Sequence, residues 1–395
     1  MLHHKEKLDK NKISLITFIT FLIGFSNAIL AYIMSSYFKL ATGTENFGVF
    51  YVILFSIFLI SLLNLHKAVV FLGKNNVFYF ALLAKLLVIA LLAFGNPSFL
   101  GVFLLMVFVV LGGIEWASLD LILEGYSIDK MSGRIRGLHL TVLNLGILFG
   151  PFLSVYILEK MDFQGIFIFS FIFNAFVFIF ALLGFRKIKN RISQREGILL
   201  VIRKALKRKD VVRIYSISFV LEFFYAAMVI YMPIYLRDLG YSWGGIGWIF
   251  TAMLIPFVLV QYPMGFLADK KTGEKEFLIL ALLIMGCSTI WIYFMGAGSI
   301  FLWSAVLFLT RIGAALIEVL RDSYFFKRVD GEDVDLINFF RTAYPVGFIV
   351  ASFIFSLMLF VISMKTIFLL TGIVVLLGIY AAVKLEDNAS EKEII

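Results

Sequence analysis

A few ionisable side chains stand inside long apolar runs, and they are where chemistry could begin. Glu222 lies about ten residues into the run 212–236, roughly 15 Å along a helix that rises about 1.5 Å per residue. Arg311 is comparably deep in the run 299–320. An ionisable group in hydrocarbon is costly, so each is a functional candidate by default. Removal from water disfavours an ionised carboxylate, so Glu222 could take up and release a proton, or attract an organic cation. Arg311 could pair with Glu222 or bind an anion, because a buried guanidinium calls for an acidic partner. Glu115 and Asp120 stand in the last third of the run 99–123, and Glu115 is read as a second proton site. Asp120 shares a helix face with Glu124, four residues on, better than with Glu115. Glu318 follows Arg311 by seven residues on nearly the same face, and Arg321-Asp322 stand at the end of the run. Lys85 is read as a side chain that snorkels to the nearer interface. Asn27, Tyr225, Gln261 and Asn144 are polar groups that could hydrogen-bond a bound molecule; hydrogen bonds between helices would explain the three amides equally well.

These groups need elements that can hold them in lipid. Of the 395 residues, 62% are apolar and 15% charged, against about half and a quarter in a soluble domain. Apolar stretches of about 18 residues or more recur throughout, each long enough to cross a roughly 30 Å hydrocarbon core as a helix. Runs such as Val102–Leu111 and Ile166–Leu183 are continuous and show no period-two alternation, so helices are expected rather than barrel strands. The expected spans are 13–38, 46–65, 77–94, 99–123, 137–158, 166–186, 212–236, 243–266, 277–296, 299–320, 338–361 and 365–384. The first is too long for a signal-peptide core and is read as a retained span. Short turns such as Gly95-Asn96-Pro97-Ser98 imply antiparallel neighbours.

Lysine and arginine orient the chain. Of the 35, only Lys39, Lys160, Arg237 and Lys365 fall in or beside the outer loops when the N-terminus is placed in the cytoplasm, and only Lys85 and Arg311 stand deep within spans, away from their ends. That bias puts both termini inside. The net charge of +9 is read the same way rather than as a nucleic-acid footprint. The longest linker, 187–211, is basic and divides the chain into six-span halves, 1–186 and 212–395. Leu199, Leu200, Ile202 and Leu206 interleave with its charges, a pattern suited to a helix on an anionic membrane surface.

Two segments carry a family resemblance. Gly265-Phe-Leu-Ala268-Asp269-Lys270-Lys271-Thr-Gly273-Glu274-Lys275, between spans eight and nine, is similar to the loop signature of the major facilitator superfamily. In span five, Gly137, Gly146, Gly150-Pro151 and Ser154 resemble the antiporter signature of drug–proton exchangers in that superfamily. Ser154-Val155 stands where those exchangers usually have a glycine pair. The loop after span two, His66-Lys67 through Gly73-Lys74, keeps only a Gly-Lys remnant of the loop signature and lacks its aspartate. Any latch built from the two loops would therefore be asymmetric.

The resemblance implies an all-α, twelve-span fold in two halves, with spans one, four, seven and ten lining a cavity that Glu222, Arg311, Asn27, Tyr225 and Gln261 would face. It implies alternating access, with Glu222 and Glu115 carrying protons. Gly265, Asp269, Lys270 and Gly273, with Asp120, Glu318, Arg321 and Arg341, would form a cytoplasmic gate. The expected function is proton-coupled export of small amphipathic or cationic compounds; the alternative is a symporter or uniporter for a sugar or organic acid. A membrane-embedded enzyme would need a polar cluster at one interface, and the outer loops are too short for one. No Walker-type loop is present, so no nucleotide or other cofactor is expected, nor a metal site, with one cysteine and four scattered histidines. The expected partners are a small-molecule substrate, a proton or other coupling ion, and the bilayer, without nucleic acid. The protein is expected to be monomeric, in the inner (plasma) membrane.

Overall fold

The structure is a computed structural model, and it describes residues 10–44, 46–124, 132–185, 198–267, 274–329 and 334–386. Among these residues there is no strand. The helices are α1 (Lys10–Ala31), α2 (Met34–Thr42), α3 (Gly48–Leu72), α4 (Lys74–Phe94), α5 (Phe99–Glu124), α6 (Ser132–Gly184), α7 (Ile198–Lys207), α8 (Lys209–Ala226), α9 (Met232–Asp238), α10 (Trp243–Leu267), α11 (Lys275–Phe294), α12 (Ile300–Arg328), α13 (Val334–Arg341), α14 (Ala343–Met358) and α15 (Lys365–Val383).

Eleven of the described segments are long and apolar enough to cross a membrane. One of them, Thr141–Gly184, is 44 residues long, well beyond the roughly 20 that a single span needs. It is broken at Asp162, where φ is 56° and ψ is −165°. The break makes it two spans, five and six, and gives twelve in all. The fold is thus all-α, with twelve transmembrane helices in two six-helix halves, as the sequence implies.

Other breaks have local causes. Gly73 takes φ 86° and separates α3 from α4 by a single residue, a conformation that costs glycine little. Lys74 then donates from Nζ to the Leu121 carbonyl at 3.2 Å. In span seven, Ala227–Tyr231 form a π-helical turn between α8 and α9. Pro233 follows immediately. It has no N–H to return to the carbonyl four residues back, and a π turn is one way of absorbing that loss.

The chain divides into two compact units: the described parts of 1–42 and 60–193, and those of 43–59 and 194–395. In the first, α1 packs along α6. Gly146 and Gly150 make this close approach possible: a Cβ on Gly146 would stand 2.4 Å from the Phe21 carbonyl oxygen, and one on Gly150 2.3 Å from the Ala28 Cβ. Asn174 reinforces the seam by donating to Ser26 Oγ at 2.7 Å, and the Ser26 and Ser170 hydroxyls lie 3.0 Å apart. In the second, α10 and α11 pack against α12, α11 against α15, and α14 against α8. The linker segment α7 turns Val201 and Ala205 inward and leaves Leu200 and Leu206 exposed.

Candidate functional site

Each unit buries ionised side chains, and the two arrangements are described in turn. In the first, Lys85 on α4 and Glu115 on α5 are both fully buried and joined at 2.7 Å. The interface-seeking role expected for Lys85 is therefore corrected. Its Nζ also donates to Asn27 Oδ1 on α1 at 3.2 Å and lies 4.8 Å from the centre of the Phe108 ring. Gly112 lies beside Nζ: a Cβ there would stand 3.7 Å from it, an ordinary contact distance. Phe108, Gly112 and Glu115 stand at helical spacing along one face of α5, and the lysine stem runs along that face. Glu115 Oε1 has no hydrogen-bond donor among the described residues. A buried pair of this kind is held by mutual attraction, and taking away one partner costs about 3–5 kcal/mol.

The second unit holds a larger group. Glu222 on α8 is 4% exposed, and its Oε1 accepts from Arg321 Nη1 on α12 at 2.9 Å. Arg321 also approaches Asp322, Nε to Oδ1, at 3.5 Å. One turn before Arg321, Glu318 Oε2 accepts from Gln261 Nε2 of α10 at 2.8 Å. Gly347 on α14 brings that helix against Glu222: a Cβ there would lie 2.5 Å from the Glu222 Cβ. The glutamate is thus fixed by α12 through charge and by α14 through contact.

Arg311 is placed differently. It is 1% exposed, and its guanidinium carbon lies 5.2 Å from the Phe224 ring centre and 5.4 Å from that of Tyr225. The aromatic wall continues from Tyr225 to Phe257 of α10, with centroids 6.4 Å apart. Its Nε and Nη2 have no acceptor among the described residues. Aromatic faces attract a cation, but they do not satisfy N–H donors. The Glu222–Arg311 pairing offered by the sequence is replaced by Glu222–Arg321.

The structure thus brings together Glu222, Arg321, Glu318 and Gln261, and sets Arg311 beside Tyr225. It joins Asn27 to Lys85 and Glu115. Glu318 and Arg321, expected in an inner gate, hold Gln261 and Glu222. Asp120 is on α5 and Arg341 on α13. Gly265 lies in α10, while Asp269, Lys270 and Gly273 lie outside the described residues. Gly137, Gly146, Gly150, Pro151 and Ser154 all lie in α6, where Ser154 Oγ donates to the Pro151 carbonyl at 2.9 Å. Sequence reasoning missed Glu274: it is fully buried, and its Oε1 takes Lys327 at 2.6 Å and Ser323 Oγ at 2.7 Å. Its place beside Gly273 and Lys275 in the loop signature was the available signal.

The model of a family described as the Major Facilitator Superfamily matches residues 16–246 and again 244–394. No curated protein matches the sequence. Among solved structures, 292 chains match. One is the in meso crystal structure of the POT family transporter PepTSo, similar at a TM-score of 0.73 and 13% identity, over 94% of this chain and 97% of that one. At this identity the likeness speaks for the fold.

Proposed function

Because this chain belongs to the Major Facilitator Superfamily, we propose that it is a proton-coupled secondary active transporter that moves a small molecule by alternating access. Protons bind at Glu115 and Glu222. The observation that carries this reading is the Lys85–Glu115 pair, fully buried in the first half, with Glu115 Oε1 open to a donor. A proton placed on Glu115 cancels the attraction that holds Lys85, so proton binding favours one conformation over another, as coupling requires. Glu222 offers the same exchange against Arg321.

Export of small amphipathic compounds is supported by the glycine spacing in span five, which in this protein also serves the packing of α1 on α6. Entry of a metabolite with the proton, the second reading, is favoured by Arg311, whose free donors suit an anionic group. The working form is taken to be a monomer in the inner (plasma) membrane with both termini cytoplasmic.

The test uses purified protein in liposomes with an internal pH-sensitive dye and an imposed proton gradient. Lipophilic cations, sugars and organic acids are added singly. The expected result is a substrate-dependent proton flux that falls at least tenfold in Glu115→Gln and Glu222→Gln, with its sign giving antiport or symport. No flux with any class, from protein shown to be folded, would sink proton coupling.

A further inference from the structure

We propose that Arg311 docks the carboxylate of the transported molecule, so that the substrates are small organic acids with an apolar or aromatic body. This rests on the transporter reading above and names its substrate class. The carrying observation is the contrast between two arginines of α12, Arg311, which is buried, and Arg321, whose side chain is 13% exposed. Arg321 has Glu222 at 2.9 Å and Asp322 at 3.5 Å. Arg311 is at least as deeply buried and has aromatic rings where Arg321 has carboxylates.

The unmet groups are N–H donors, Nε and Nη2, so what completes them is an acceptor. These two nitrogens belong to a planar fork that matches two oxygens of a carboxylate. The rings of Phe224 and Tyr225 lie against the guanidinium, and Phe257 stands beyond Tyr225. They offer apolar contact to the remainder of the ligand and few groups to hydrate a compact inorganic anion. An organic cation is poorly served: Glu222, the carboxylate expected to attract it, is already held by Arg321. Glu318, the half-buried carboxylate of the group, accepts from Gln261. It stands seven residues beyond Arg311 on α12, and Arg311 Nε and Nη2 have no acceptor among the described residues.

Equilibrium binding to the purified full chain in detergent tests the proposal, with benzoate as probe and benzyl alcohol, benzylammonium, acetate and inorganic phosphate as comparisons. Benzoate is expected to bind more tightly than the other four. Its affinity should fall at least tenfold in Arg311→Gln and less in Arg311→Lys, which keeps the charge and loses the fork. Tyr225→Leu keeps Arg311 and guards against misfolding of the arginine variants; it should lower the benzoate-to-acetate affinity ratio severalfold. Unchanged benzoate affinity in folded Arg311→Gln, an unchanged ratio in Tyr225→Leu, binding of benzylammonium or phosphate as tight as benzoate, or no benzoate binding would each overturn the assignment. In liposomes the two readings separate. Benzoate binding without proton flux supports the site and removes the coupling. Proton flux driven by a lipophilic cation and unaffected by Arg311→Gln keeps the transporter and removes the site.

Discussion

The two halves bury their charges to opposite effect. In the first, one lysine and one glutamate neutralise each other, Asn27 assists, and what is left over is an acceptor, Glu115 Oε1. In the second, Glu222 shares Arg321 with Asp322, and the donors left over are Nε and Nη2 of Arg311, together with Nε of Arg321, which has Asp322 only at 3.5 Å. The first half therefore has an opening for a proton, and the second for an acceptor on a ligand. Equal numbers of spans do not imply equal chemistry. Both pairs lie in helices that sequence analysis treats alike.

The sharpest way to break the comparison is to remove one partner of the isolated pair. Lys85→Ala should cost about 3–5 kcal/mol, because it strands a buried carboxylate. The loss would be read as a lower Tm of detergent-purified protein, and Lys85→Met with Glu115→Leu should recover most of it. A double variant as unstable as the single would show that the two do not act as a unit. Arg321 has a second carboxylate, so Glu222→Gln should cost less, about 1–3 kcal/mol, by the same measurement. If it costs as much as Lys85→Ala, Asp322 does not share the load. Next, Gly347→Val should cost about 1–3 kcal/mol by overpacking and should weaken substrate-dependent proton flux by displacing Glu222. Wild-type flux in that variant would show that the position of Glu222 is not set by α14. The smallest effect belongs to the junctions between the last two spans of each half. In the first half the junction is Asp162, at positive φ inside a continuous helical stretch; in the second, several residues turn between α14 and α15. Asp162→Gly relieves the strained backbone but gives up the bond from Phe163 N to Asp162 Oδ1. A gain below about 1 kcal/mol is expected, and a Tm loss would show that the side-chain bond outweighs the strain.

Much of this was legible beforehand. Continuous apolar runs set the spans, and the lysine and arginine bias set the orientation expected for them. The boundary between spans five and six was readable from the interruption Glu159-Lys160-Met161-Asp162, although the backbone breaks there at a single residue, Asp162. The ion pairs were not legible. Counting back from the turn at Gly95 sets Lys85 opposite Phe108, and its ammonium is indeed near that ring. It reaches Glu115 because the lysine stem is long. Arg321 misled for the same reason: its Cα is near the end of its apolar run, while its guanidinium meets a glutamate placed near the middle of another. Depth along a helix locates the backbone, and long side chains shift their charges by a turn or more. Glu222 and Arg311 were singled out correctly as buried, but the sequence offered no way to choose between them as partners.

The π turn at Ala227–Tyr231 has a consequence for how the chain can vary in length. A π turn carries one residue more than an α turn and leaves the faces before and after it in their places. Span seven therefore contains a spare residue between two faces that are both committed, Glu222 to Arg321 below it and Tyr235 to Trp303 and Phe368 above it. Deleting Val229 would remove the extra residue with both faces still in phase, leaving a bend at Pro233 to take up its missing N–H. Deleting Ile217, an equally apolar residue in the regular part of α8, would rotate everything beyond it by about 100° and dismantle both sets of contacts. Span seven is tolerant of shortening at one place along its length, and that place lies between its charged and its aromatic anchor points.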